Sequence, residues 1–180
     1  MLENLQQVDT ATFDAWVAEQ PDARNFELIN GEVFEKPIVT KPKHGRAVIK
    51  LCGYITVHLD LHDIEGYVTG ETSGYQIGDH RYIPDGALVL GQPMDDAAYS
   101  RNQPTLEIEM ISNEDNNAEM RLLTRKREVY LNAEITIWEG STEERFVDVY
   151  TPDGRYQRVR DSLSLDALPG LAIPLDKVFR

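Results

Sequence analysis

Residues 105–111 read TLEIEMI, and no other stretch constrains the fold as much. Successive side chains of a strand point to opposite faces, so Leu106, Ile108 and Met110 share one face and Glu107, Glu109 and Ile111 the other. One face suits a core; the other sets two carboxylates among apolar residues. A buried carboxylate is unfavourable unless it is paired or bound to a cation. On spacing alone, a solvated sheet face accommodates the two glutamates equally well. Residues 81–91, RYIPDGALVLG, raise the same question, because Asp85 opens the apolar run Ala87–Leu90. Pro-Asp-Gly is ordinarily a turn, and the copy at 152–154, in VYTPDGRYQRV, fits one well. If the strand at 81–90 neighbours the strand at 105–111, Asp85 and one glutamate converge. Two such oxygens, a backbone carbonyl and waters make a hard-cation site of the kind magnesium takes.

The surrounding pattern predicts a mixed α/β domain with a central sheet, two main helices and a β-rich C-terminal part. Residues 10–19 form a short helix, with Thr10 or Thr12 as cap and Phe13, Trp16 and Val17 on one face. FELI and EVFE flank Asn30-Gly31, a two-residue hairpin signal. A Pro-rich bend at 37–42 precedes a helix over roughly 44–62, where Val48, Leu51, Cys52, Ile55 and Leu59 follow the spacing of a buried face. Strands are expected near 67–71, 74–78 and 81–90, followed by a loop over 91–104. A second helix is expected over about 114–132, capped by Ser112 or Asn113, with Glu114 and Asp115 complementing its dipole. Strands near 134–139, 145–151 and 155–160 follow, and the tail LPGLAIPLDKVF reads as a loop with a short apolar closing element. Without repeats or a linker, the 180 residues are expected to form one domain over 1–180.

Charge bears directly on function. The formal net charge is −13, whereas a nucleic-acid binder usually carries a basic footprint. Locally the balance reverses: KPKHGRAVIK (41–50) and RLLTRKR (121–127) hold four lysines or arginines each and no acid. These runs read as solvated helix faces or as a basic rim on an acidic molecule. The single cysteine, Cys52, rules out an intramolecular disulfide framework. The first twenty residues carry Glu3, Asp9, Asp14 and Glu19 in place of a basic start and apolar stretch, and no run of about 18 apolar residues occurs. A cytoplasmic protein with no membrane span is the expectation.

Other candidates read as follows. Lys126 lies four residues before Tyr130, so both can face the sheet, although a surface lysine within Arg-Lys-Arg is the simpler reading. A lysine there can position a water or stabilise charge on phosphate. His58 and His62 have the four-residue spacing of a helical metal pair but no third ligand, which favours a solvated polar face. His44 is a capping-region residue whose imidazole could also reach a phosphate. Neither a Gly-x-Ser-x-Gly elbow, a P-loop nor a dinucleotide glycine fingerprint is present.

In order along the chain, FELINGEV, HG at a helix start, GYVTGETSGYQIG, IPDGALVL, LEIEMIS, Lys126-x-x-x-Tyr130, VDVYTPDGRYQ and LPGLAIPLDKVF resemble the Uma-two family. That family of putative restriction endonucleases belongs to the PD-(D/E)XK nuclease superfamily. The resemblance implies a restriction-endonuclease-like mixed central sheet flanked by helices, and a Mg²⁺- or Mn²⁺-dependent endonuclease acting on nucleic acid, DNA foremost. It makes Asp85 the aspartate of the Pro-Asp motif and Glu109 the second acid. Ile111 stands where the wider superfamily keeps its lysine, so Lys126 would supply that lysine from the following helix, and Glu27 matches the family's N-terminal glutamate. Asp85, Glu109 and the Met110 carbonyl would hold the metal. Lys43, His44, Arg46, Arg125 and Arg127 would form the nucleic-acid rim, and the resemblance leaves room for a homodimer. Three positions depart from the family pattern: Leu122 replaces an aspartate, IWEGS replaces a Trp-apolar-Asp run, and Glu107 stands where an apolar residue is commoner. A non-catalytic oligomeric module that retains the fold, or a hydrolase of smaller phosphodiesters, are the alternatives.

Overall fold

The computed structural model describes residues 7–19, 25–36, 41–111 and 115–180. The chain runs α1 (Thr10–Glu19), β1 (Phe26–Ile29), β2 (Glu32–Glu35), α2 (Pro42–His62), β3 (Gly66–Gly70), β4 (Gly74–Ile77), β5 (His80–Tyr82), β6 (Gly86–Leu90) and β7 (Tyr99–Ser100). It continues with β8 (Leu106–Ile111), α3 (Asn117–Asn132), β9 (Thr136–Ser141), β10 (Phe146–Tyr150), β11 (Tyr156–Val159), β12 (Ser162–Leu165), β13 (Leu168–Pro174) and α4 (Leu175–Val178). The class is mixed α/β, as expected, but two larger sheets divide the strands. One runs β11-β10-β9-β8-β6-β3, the other β2-β1-β5-β4-β7, and β12-β13 make a separate hairpin.

In the six-stranded sheet only β8 and β9 are parallel, which requires the crossover that α3 provides. Alternation then sorts the side chains of β8. Leu106, Ile108 and Met110 join Val48, Leu51, Ile55 and Leu59 of α2 in the main core, which the C-terminal hairpin and α4 close. The opposite face meets α3 and the five-stranded sheet, where Tyr130, Ile135 and Ile137 pack with Ile29, Ile77 and Tyr82. Glu107 and Glu109 therefore point into a second interface, away from solvent.

The strand expected over 81–90 is two strands in different sheets. Proline at 84 has no N–H to offer a ladder, and pairing with β8 begins only at Gly86, opposite Ile108. Asp85 repairs the break with its side chain, Oδ2 accepting the Met110 N–H at 2.7 Å. The two Pro-Asp-Gly tripeptides thus use glycine differently. Gly154 has φ of 84°, as a tight turn needs. Gly86 is needed for close approach, because a Cβ there would stand 2.8 Å from Cys52 Sγ of α2.

Smaller corrections have local causes. The cap of α1 is Asp9, which accepts the Thr12 N–H (2.8 Å), rather than Thr10 or Thr12. In α3 the cap is Asn116, bonded to the N–H groups of Ala118 (3.1 Å) and Glu119 (3.4 Å). The expected caps Ser112 and Asn113, with Glu114, lie outside the described residues, as do 37–40 of the Pro-rich bend. Helix α2 starts at Pro42, since proline fits the first helical turn. The expected loop over 91–104 contains β7, parallel to β4. The tail is a strand, β13, paired with β12. Its buried positions Leu168, Leu171 and Ile173 are out of simple alternation around Gly170, which hid the pattern. His58 is buried, contrary to a solvated face, and His62 is exposed.

Candidate active site

Asp85 sits at the crossing between the two sheets and is 4% exposed. Three donors surround its carboxylate. Lys36, one residue beyond β2, donates from Nζ to Oδ1 (2.6 Å) and to the Ile83 carbonyl (2.7 Å). His44, in the first turn of α2, donates from Nε2 to Oδ2 (3.1 Å), since a carboxylate only accepts. The Met110 N–H completes the set. Burial alone would raise the pKa of Asp85, but Lys36 and His44 outweigh it and hold the carboxyl well below its usual range.

Lys126 bridges the remaining acids. Its place on α3, four residues before Tyr130, turns both side chains toward β8. Nζ bonds Glu27 Oε1 of β1 (3.0 Å) and forms a close ion pair with Glu109 of β8. Glu27 Oε1 also accepts the Ile83 N–H (2.8 Å), and Tyr130 Oη donates to Glu109 Oε1 (3.2 Å). Burial opposes the charge on Lys126, yet Glu109 and Glu27 prevail and keep the ammonium protonated far above neutral pH. One helix, one strand from each sheet and the Pro-Asp crossing therefore bring Glu27, Asp85, Glu109 and Lys126 together.

These groups open onto a cavity of about 520 Å³ whose wall includes Glu27, Lys36, His44, Asp85, Glu109 and Lys126. Glu107 lies two residues along the same face, wholly buried, and neither of its carboxylate oxygens has a hydrogen-bond partner among the described residues. Burial, then the nearby Glu109, pushes its pKa well above the ordinary carboxylate value. A larger cavity, about 700 Å³, is walled by Tyr67, Thr69, Tyr75 and Tyr99 and includes no lysine, arginine or histidine. Although it is the roomier of the two, it offers no cation to a phosphate.

A divalent cation is what the carboxylate set invites. Among the described residues no three His, Cys, Asp or Glu side chains stand in a shared metal-ligand arrangement. Even so, Asp85, Glu109 and Glu27 all line the 520 Å³ cavity, and their hard oxygens match the donor preference of Mg²⁺ or Mn²⁺. Local protein cations already answer part of that charge, with Lys36 on Asp85 and Lys126 between the two glutamates. The donor chemistry fits the ion, and its entry would have to compete with Lys36 at Asp85.

The expected rim residues are dispersed. Of the five, only His44 lines the cavity. Arg125 pairs with Glu32 (2.9 Å) and Lys43 with Glu143, both at exposed positions. Arg46 holds the carbonyls of Val178 and Arg180. Arg127 forks onto Glu139 through Nε (2.7 Å) and Nη2 (2.6 Å) and lies 4.1 Å from the centre of the Tyr150 ring. Sequence reasoning missed Lys36 altogether. The available signal was its position directly after the hairpin that carries Glu27, where the residue pairing sets Phe26 against Glu35.

Comparison with known proteins agrees with this architecture. A crystal structure of a putative nuclease belonging to DUF820, from Anabaena variabilis, superposes with a TM-score of 0.77 at 17% identity, over 96% of this chain and 97% of that one. At that identity the likeness shows a shared fold. No curated protein matches the sequence. The Uma2 family, described as putative restriction endonuclease, matches residues 10–176, and the chain belongs to that family.

Proposed function

We propose that this protein is an endonuclease that hydrolyses phosphodiester bonds of nucleic acid, DNA foremost, in the cavity at Asp85. One observation carries the reading: Glu27, Asp85 and Glu109, distant in sequence, meet Lys126 and Lys36 in one cavity where carboxylates outnumber lysines. Family membership and the fold shared with a putative nuclease support it. Asp85 and Glu109, with the Met110 main-chain carbonyl, would hold Mg²⁺ or Mn²⁺. Such an ion supplies Lewis-acid polarisation of the phosphate and a water of lowered pKa.

The chain's own groups account for the rest. Lys126, permanently protonated between two carboxylates, can donate to the attacking water or to the charge that develops on phosphate oxygen. Glu27 holds Lys126 in place and is itself oriented by the Ile83 N–H. His44 and the Met110 N–H orient Asp85. Were Asp85 to hold a metal ion, Lys36 would be freed as an ammonium at the cavity wall, suited to a phosphate oxygen. Lys43 and Arg125 form exposed, solvent-screened pairs, so phosphate can displace their carboxylates.

Incubation of plasmid with the purified protein and Mg²⁺ should give cleavage that EDTA abolishes and that falls by at least about 100-fold in Asp85→Ala. Equal cleavage by the mutant would refute this site. A second reading, hydrolysis of a smaller phosphodiester, is favoured by the −13 net charge and by a basic rim already engaged with acids. Turnover of a model diester with no nicking of plasmid would select it. No turnover of either, and no metal response, would select a non-catalytic module.

A further inference from the structure

The buried face of α2 is complete, yet its opposite face carries an apolar ridge among charged residues. Five large hydrophobic side chains are exposed among the described residues, and three of them lie on this helix: Ile49 (72%), Val57 (55%) and Leu61 (76%). Their four-residue spacing, with Gly53 between Ile49 and Val57, makes one ridge opposite Val48, Leu51, Ile55 and Leu59. At the midpoint the ridge falls to bare backbone, because a Cβ at Gly53 would meet no atom within 4 Å. None of the described residues covers these side chains, and contiguous exposed apolar surface marks contact sites.

Charge identifies the occupant. Lys43, Arg46 and Lys50 fill the first half of the helix without an acid, whereas residues 51–65 hold Asp60, Asp63 and Glu65 without a lysine or arginine. Cations at a helix N-terminus and acids at its C-terminus oppose the helix dipole, so the pattern is unfavourable within one copy. Between two antiparallel copies it becomes complementary, since each basic half meets an acidic half. The pattern is also symmetric about Gly53, with Ile49 and Val57 four residues away on either side and Arg46 and Asp60 seven.

We propose that a second copy of this chain docks on α2, in an antiparallel, isologous helix pair centred on Gly53. Ile49 of each copy packs near Val57 of the other, and Arg46 and Lys50 flank the other copy's Asp60. Glycine at the centre permits close approach of the two backbones. The ridge includes no residue of the candidate active site: His44, the α2 residue that touches Asp85, is on the buried face. Dimerisation and catalysis therefore succeed or fail separately.

Sedimentation velocity on the full chain across a concentration series tests this. The wild type is expected as a dimer of 20.5 kDa chains. Gly53→Glu, which sets two like charges against each other at the axis, is expected as a monomer with wild-type circular dichroism. Should that variant lose helical signal, Val57→Glu, at an exposed position, is read in the same way. Asp60→Lys should weaken the dimer several-fold, and adding Lys50→Glu should restore it. A wild type that stays monomeric throughout, the result if the ridge serves a different partner, overturns the proposal. So does a dimer that survives Gly53→Glu with its fold intact.

Discussion

Buried carboxylates occur in two regions of this molecule, and the regions balance them differently. On β9 and β10, Glu139 receives both arms of Arg127, and Asp148 receives both arms of Arg158 (2.8 Å each). Each guanidinium then covers a ring, Tyr150 for Arg127 and Phe146, at 3.6 Å, for Arg158. One acid meets one fork and one ring, and the local charge closes. Around β8, four carboxylates (Glu27, Asp85, Glu107 and Glu109) share Lys36, Lys126 and His44, and among the described residues Glu107 has no hydrogen-bond partner. Acids that serve the fold are neutralised one to one. The acids around β8 and the Pro-Asp crossing retain negative charge that only a further cation or a proton can answer, as perturbed functional sites do.

The sharpest way to break this contrast is to unbalance the closed region. Arg127→Ala leaves Glu139 buried without its counter-ion and should lower stability by about 3–5 kcal/mol, read from urea denaturation. A loss near that of an exposed ion pair would show that the β9–β10 acids are not closed as described. Metal response comes next. Saturation with Mn²⁺ should stabilise the wild type by about 2.7 kcal/mol at 100 times Kd, read as a rise in Tm. Asp85→Asn should abolish that rise, and Arg127→Ala should keep it, because Arg127 answers Glu139 and none of the acids that line the cavity. A rise of equal size in Asp85→Asn would place the ion elsewhere.

The smallest effect concerns Glu107. Its folded pKa is raised above the ordinary 4.5, with burial as the main cause. A raised folded value means that the group's contribution is intact below the unfolded pKa and is lost as pH climbs toward the folded one. In EDTA, Glu107→Gln should match the wild type near pH 4 and become the more stable protein as pH rises, by about 1–3 kcal/mol. A difference that stays flat with pH would mean that Glu107 has a partner and belongs with the closed acids.

Much of the fold was legible, because local rules govern it. The alternation in LEIEMI sorted β8 correctly, and the spacing of Val48, Leu51, Ile55 and Leu59 found the buried face of α2. Asn30-Gly31 announced its turn, and both residues have positive φ. Contacts between distant residues were out of reach. Lys36 and Asp85 are 49 residues apart and Lys126 and Glu27 are 99 apart, and no periodicity links such pairs. The break at Pro84 was visible as a residue, but only the Met110 N–H bonded to Asp85 explains why the chain changes sheets there. Arg125, Lys126 and Arg127 are consecutive and alike in sequence. They separate into a surface pair, a site residue and a fold-closing fork because α3 turns each to a different neighbour.

Sequence alone determined the two main helices and most of the strands, the face of β8 that carries the acids, and the two tripeptides in which an aspartate precedes a glycine. These follow from steric preferences and from periods of two and 3.6 residues, which are properties of neighbours along the chain. Tertiary structure decided which carboxylates share a cavity, which cations answer them, and which acid is left without a partner. Burial and the Coulomb field of residues brought in from elsewhere set that balance, and both exist only once the two sheets have met across α3.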